Sequence, residues 1–368
     1  AIESGRYRSH IDASKCKECG RCAQACPYNA IAHLKRPCKF SCPVNAITYD
    51  EYGISVIDKD KCIRCGKCIH SCPFGAIGSK TFVVDVVDAL RSGKHVYAMA
   101  APATEGQFGA DITMASWKKA MQEVGFTDFY DVGLGGDMTA AYEAEEWAEA
   151  YEVGKKKVTS CCPAFVNMVH LHYPELAEFV SETVSPMCAV SRLIKARDPE
   201  AVTVFIGPCI AKKSEVVDRK IAGNADYVLT YSEIRAIMKA KGVQMEPCEN
   251  EGQIASVYGK RFANSGGVTG AVLQSMKESG KESGAKVCQA NGAAECKKAL
   301  LLLKAARLPE DFIEGMACEG GCVGGPSQFA DAMSTKKSRD ALLGEADGRG
   351  IHENLSHYAM DEFSMHRD

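Results

Sequence analysis

The sequence lacks any uninterrupted apolar run of the roughly 18 residues that a membrane-spanning helix needs, so no membrane segment is expected. Its first residues, AIESGRYRSHIDASKC, contain neither an apolar segment nor a signal-peptide cleavage pattern, and the expected compartment is the cytoplasm. It lacks an excess of either charge: 44 Lys+Arg against 47 Asp+Glu leave −3, which argues against a nucleic-acid partner. The 9 histidines show no metal-ligand spacing beyond HLH at 170–172, read as a helix surface. The glycine-rich stretches GLGGD at 133–137 and SGGVTG at 265–270 fit no nucleotide-binding fingerprint and are expected to be turns.

What the sequence has is cysteine, 19 in 368 residues. Ten lie before residue 73 and nine after residue 160. A secreted disulfide scaffold is the wrong class, because such scaffolds are short and this chain is long enough for two ordinary cores. Cysteines in tight clusters point to metal ligation.

The N-terminal ten form a repeat. CPYNAI at 26–31, CPVNAI at 42–47 and CPFGAI at 72–77 are three copies of one phrase. CKECGRCAQACP supplies Cys16, Cys19, Cys22 and Cys26; CIRCGKCIHSCP supplies Cys62, Cys65, Cys68 and Cys72; the middle copy keeps Cys38 and Cys42. In C-x2-C-x2-C-x3-C-P, three thiolates wrap one iron–sulfur cube and the fourth reaches the other cluster. The pattern therefore assigns Cys16, Cys19, Cys22 and Cys72 to one [4Fe–4S] cluster. Cys62, Cys65, Cys68 and Cys26 go to a second. Zinc on CxxC pairs is the alternative, but zinc sites rarely show this three-plus-one spacing. The segment resembles a bacterial two-cluster ferredoxin. Cys38 and Cys42 depart from that pattern: they are packing thiols, the preferred reading, or Cys42 replaces Cys26 as the remote ligand. Up to residue 78 there are 12 Lys+Arg and 7 Asp+Glu, a net of +5, which suits an acidic electron carrier; a plain solvated surface accounts for the same residues.

From about residue 80 the pattern changes. TFVVDVVDALRSGK has helical periodicity and bridges the two parts. Seven apolar runs then read as buried strands: HVYAMAAP, TDFYDVGL, KVTSC, AVTVFIGPC, ADYVLTY, AKVCQANG and DFIEGMAC. Helical patterns follow several of them, which predicts an α/β fold with largely parallel sheets. Sites in such folds sit at the carboxyl ends of strands, and three of these ends carry cysteine: TSCCP, GPC and MAC. One edge is expected to collect them.

Together TSCCPAF at 159–165, GPCIAKKSE at 207–215 and EGMACEGGCVGG at 314–325 resemble the signature segments of the [FeFe]-hydrogenase catalytic domain. The resemblance implies an α+β ferredoxin-like domain over 1–78, followed by an α/β two-lobed catalytic domain over 79–368. It implies an H-cluster, a [4Fe–4S] cube joined to a diiron subsite that carries CO, cyanide and an azadithiolate bridge. Cys162, Cys209, Cys318 and Cys322 would hold the cube, with Cys322 bridging to the diiron subsite. Cys161, beside a ligand but pointing away from it, would exchange protons with the bridging amine. The relay would run Glu143, Ser181, Glu146, a water, then Cys161. Lys212 would donate to one cyanide, Pro102 and Ala103 would meet the other, and Met316 and Phe262 would pack near the cofactor. For Glu143 and Glu146 a solvated helix face is the ordinary alternative, and for Met316 and Phe262 a core role.

The family's activity, 2H⁺ + 2e⁻ ⇌ H₂, is the expected function, in a monomer served by ferredoxin and loaded by hydrogenase maturation proteins. Two alternatives are a hydrogen sensor and a non-enzymatic assembly factor. About 40 residues follow GGPSQ, too few for an ordinary signalling domain. Phe165 and Gly207 stand where prototypical members carry Trp and Met. Gly207 removes a thioether and is expected to leave room for water. Cys188, Cys248, Cys288 and Cys296 match no ligand position.

Overall fold

All seven apolar runs become parallel strands, divided between two sheets. The computed structural model describes residues 1–6, 8–12, 14–17, 19–31, 36–249, 254–282 and 284–367. Two short antiparallel hairpins open the chain, β1 (Ile2–Ser4) with β2 (Ser9–Ile11) and β3 (Ile47–Tyr49) with β4 (Ser55–Ile57). The rest of the chain then supplies β5 (Val96–Ala100), β6 (Asp128–Asp131), β7 (Lys157–Val158), β8 (Val202–Ile206), β9 (Tyr227–Leu229), β10 (Val287–Asn291) and β11 (Phe312–Met316). One sheet has the order β6-β5-β8-β9 and the other β10-β11-β7, every pair parallel. Parallel sheets need cover on both faces, which is why these strands are nearly continuous apolar runs rather than alternating ones.

The covering helices carry their own stop and start signals. Helix Met114–Val124 is opened by a capping box from Thr113 and Ser116 and closed by the left-handed Gly125. Helix Tyr231–Lys241 uses Thr230 with Glu233 and ends at Gly242 in the same way. The bridging segment is helical over Val83–Arg91, as its periodicity predicts.

GLGGD is not a turn. It opens the 20-residue helix Gly133–Glu152, which packs on helices Pro186–Arg197 and Gly267–Glu278. Its glycines serve close packing: a Cβ at Gly135 would strike the Pro186 carbonyl, and one at Gly136 would stand 2.9 Å from the Gly259 carbonyl. SGGVTG is a turn only at its start, since Gly266 is left-handed and helix Gly267–Glu278 follows.

In the N-terminal region the three CP phrases fold alike. Asn29, Asn45 and Gly75, each three residues beyond its cysteine, all take positive φ (50°, 53° and 61°), a region that Asn and Gly tolerate best. Their amides donate to the carbonyls of Cys26, Cys42 and Cys72 at 3.3, 3.4 and 3.3 Å. The 61–77 segment is docked on the two-sheet region. Asn167 Nδ2 donates to the Ile63 carbonyl (3.2 Å) and His172 Nε2 to the Lys61 carbonyl (2.9 Å). The second histidine of HLH therefore belongs to this junction, not to a bare helix surface.

Candidate functional site

The cysteine-bearing strand ends converge, but not on one sheet edge. Cys161 and Cys162 follow β7 and Cys318 and Cys322 follow β11 in one sheet, while Cys209 follows β8 in the other. Between the two sets of carboxyl ends lies a largely apolar cavity. Its wall includes Cys161, Cys162, Cys209, Cys318 and Cys322 together with Lys212, Pro102, Ala103, Met316 and Phe262. Ten residues singled out from sequence thus share one lining, and Cys65 of the N-terminal region joins them.

The donor set fits an iron–sulfur cube. Among the described residues no three His, Cys, Asp or Glu side chains close on a point where one ion would sit; the thiols stand around the cavity wall. Burial pushes Cys209 up to about 11 and Cys322 up to about 12, and Cys318 rises well above the usual thiol range. After burial, neighbouring thiols are the next largest cause for all three. Thiols crowded this way ionise only beside positive charge, which a ferrous–ferric cluster brings. Lys212 is the cation of the lining. Its Nζ donates to Ser185 Oγ (2.7 Å) and Glu215 Oε2 (2.6 Å), which leaves one of its three donors for an anionic group in the cavity.

Gly207 does not open space for water. A Cβ there would stand 2.9 Å from both Ala101 Cβ and the Phe205 ring, and Phe205 itself lines the cavity. The Phe165 ring likewise lies where a Cβ of Gly315 would go. In both places an aromatic ring has taken the volume that a glycine gives up.

Behind Cys161 lies a chain of polar groups, in the reverse of the expected order. Glu143 is the inner carboxylate: it is fully buried, accepts from Ser160 N (3.2 Å) and Ser160 Oγ (3.4 Å), and its charge reaches Cys161. Glu146 is the outer one, half-buried, bonded to Thr183 Oγ1 (2.8 Å) and the Glu182 amide (3.3 Å) and 3.6 Å from Lys157. Ser181 is buried beside Glu143, whose carboxyl it helps to hold down, and its hydroxyl accepts from the Thr183 amide (3.2 Å). One helical turn separates the two carboxylates, and the inner one faces the strand end because Ser160 precedes Cys161 there. Burial, then the Glu146 charge, pushes Glu143 up to about 8. Among the described residues Glu143 Oε2 is buried without a partner, so a proton or a water has a place there.

Thr183, Ser160 and Arg339 escaped the sequence reading. Nothing in local pattern marks Thr183. Ser160 sits inside the TSCCP phrase and was overshadowed by its cysteines. Arg339, from helix Ala332–Gly344, is 1% exposed and reaches the Lys260 carbonyl, Asn264 Oδ1 (3.1 Å) and the Pro102 carbonyl (3.4 Å), bracing the wall that Pro102 and Ala103 form.

In the N-terminal region the charge of Cys42 reaches both Cys65 and Cys68. The interactions of Cys26 are those of its own turn, chiefly the Ala30 and Tyr28 amides. The expected pairing of Cys26 with Cys62, Cys65 and Cys68 has no contact in its support among the described residues, whereas Cys42 lies within electrostatic reach of two of those three. Cys38 is a packing thiol, 8% exposed and 3.8 Å from Ser55 Oγ.

Comparison with known proteins agrees with this geometry. The 4Fe-4S binding domain family matches residues 9–32 and 55–78. Iron hydrogenase 1 of Clostridium pasteurianum is 29% identical over 413 aligned positions, covering 94% of this chain and 71% of that protein. The periplasmic [Fe] hydrogenase large subunit of Nitratidesulfovibrio vulgaris is 30% identical, covering 86% and 85%. The fold matches solved [FeFe]-hydrogenases, among them one from Chlamydomonas reinhardtii, with a TM-score of 0.61 at 22% identity over 76% of this chain and 93% of that one. The family described as iron only hydrogenase large subunit, C-terminal domain, matches residues 94–326, and with the thiol-lined cavity already in place between the two sheets the chain belongs to that family.

Proposed function

We propose that this chain catalyses 2H⁺ + 2e⁻ ⇌ H₂. The observation that carries the reading is Cys161 on the lining of a four-thiol cavity with buried, polar-linked Glu143 directly behind it. Cys162, Cys209, Cys318 and Cys322 would hold an H-cluster in this cavity. That group supplies the redox chemistry and the site at which protons meet electrons. Met316, Phe262, Pro102 and Ala103 exclude water around it, and Lys212 donates to an anionic ligand. Protons travel Glu146, Ser181, Glu143, Cys161, a path whose inner members are uncharged at rest and so cheap to bury.

Two [4Fe–4S] clusters in the 1–78 domain carry electrons to the 79–368 domain, the first held by Cys16, Cys19, Cys22 and Cys72. Cys65 borders both the second cluster and the cavity, which suits direct transfer between them. A ferredoxin or similar acidic carrier is the donor, matching the +5 of residues 1–78. The chain works as a monomer, takes its diiron subsite from maturation proteins, and resides in the cytoplasm, where thiols stay reduced.

The test is hydrogen evolution from reduced viologen by anaerobic protein loaded with the diiron subsite. Fast turnover supports the enzyme. Negligible turnover in loaded protein replaces it with a hydrogen sensor.

A further inference from the structure

We infer that Cys42, from the incomplete middle repeat, is the fourth ligand of the cluster carried by Cys62, Cys65 and Cys68. The inference rests on the reading that those three thiols hold a [4Fe–4S] cluster.

Cys42 has the conformation of a remote ligand. Its turn repeats that of Cys72: the Ala46 amide donates to Cys42 Sγ at 3.2 Å, as the Ala76 amide does to Cys72 Sγ at 3.4 Å. An amide aimed at sulfur is the hydrogen bond that a cluster-bound sulfur accepts. Cys38 in the same repeat makes no such bond to its sulfur among those described and is packed in the core.

Cys42 is also tied rigidly to the triad. The Ala46 carbonyl accepts from the Asp58 amide (2.8 Å), and the Asp58 carbonyl accepts from the Cys62 amide (3.0 Å). Between those two residues the chain forms the β3–β4 hairpin, so the turn of Cys42 and the start of the triad are joined through paired backbone. Helix Pro37–Ser41, which ends at Cys42, packs on helix Lys67–His70, which contains Cys68. Val44 and Cys65 lie against one apolar cluster that includes Ile63 and Phe165, so the catalytic region presses the turn and the triad together. The charge of Cys42 reaching Cys65 and Cys68 agrees with this placement. The 16–26 repeat has the more complete motif, but the hairpin brings the less complete one to the cluster.

The test uses the full chain, anaerobic and cluster-loaded, with iron content and EPR in both redox states for Cys42→Ala, Cys42→Ser, Cys26→Ala and Cys65→Ala. Cys65→Ala defines which reduced-state signal belongs to this cluster. Cys42→Ala is expected to lose that same signal, shed one iron per chain and gain a [3Fe–4S] signal when oxidised, whereas Cys26→Ala keeps it. Cys42→Ser, with oxygen as a weaker ligand, keeps the cluster with a shifted signal, and this variant decides the matter if the alanine chain fails to fold. Cys42→Ala or Cys42→Ser with the signal unchanged, while Cys65→Ala removes it, overturns the assignment of Cys42 alone. Cys65→Ala with every signal intact overturns the cluster itself.

Discussion

The outer two cysteine repeats share one motif and meet opposite surroundings. In the 61–77 repeat, Ile63 is 1% exposed, and Cys65 is buried enough to be pushed up to about 11. Gly66 packs flush on the catalytic region: a Cβ there would stand 2.7 Å from Ile210 and 2.9 Å from Pro326, next to ligand-bearing segments. In the 16–31 repeat, Cys19 is exposed, and Tyr28 is 87% exposed. The same spacing thus serves an outward-facing position and a docked one.

That contrast can be broken most severely at the thiols. Cys65→Ala is expected to abolish viologen-driven hydrogen evolution, whereas Cys19→Ala spares it and lowers only ferredoxin-driven turnover; equal losses in both assays would erase the distinction between the repeats. Cys161→Ala separates protons from electrons. Turnover should fall by about 100-fold or more, while EPR still shows the cavity cube reduced through the docked cluster. Full activity in this variant would remove the thiol from the path.

Smaller changes sharpen the comparison. Gly66→Ala combines a left-handed φ of 78° with the Ile210 contact, and should cost about 1–3 kcal/mol in thermal or denaturant unfolding. Gly20 has φ 71° in the equivalent place of the first repeat and supplies the control. Acidity acts at the inner site. Burial holds Glu143 up to about 8 and Asp137 up to about 7 and raises Asp131 as well, so the folded chain binds more protons than the unfolded one between about pH 4 and 8. Stability therefore falls as pH rises through that window. Glu143→Gln should flatten the decline in Tm above pH 4.5, and an unchanged slope would mean that Glu143 is ionised. The least effect belongs to Lys67, whose pair with Glu319 (2.9 Å) crosses the junction in the open; Lys67→Ala should cost no more than about 1 kcal/mol and vanish into noise at high salt.

The strands were legible because burial on both faces writes a nearly unbroken apolar run, and all seven runs are strands. The cavity was legible in its thiols, since cysteine at three strand ends has few other uses. The order of Glu143 and Glu146 was not, because both lie on one helix three residues apart, and only the tertiary contact with Ser160 tells inside from outside. GLGGD misled for a related reason. Glycine in a helix costs stability when exposed, but here the helix needs bare backbone to meet Pro186 and Gly259. Cys42 was legible as an alternative to Cys26 but ranked behind a packing role, since sequence spacing carries no record of which turn the hairpin folds back.

The two ring-for-glycine exchanges, Phe205 with Gly207 and Phe165 with Gly315, also constrain how this cavity can evolve or be redesigned. A side chain cannot be returned to position 207 while the Phe205 ring stands there, and shrinking Phe205 first leaves a void beside the cofactor wall. Each pair is therefore a two-step lock in mutational terms: either single step is unfavourable, and only the paired change crosses to the other arrangement. Single substitutions that place a side chain at 207 or 315 should fail until residues 205 and 165 are changed with them.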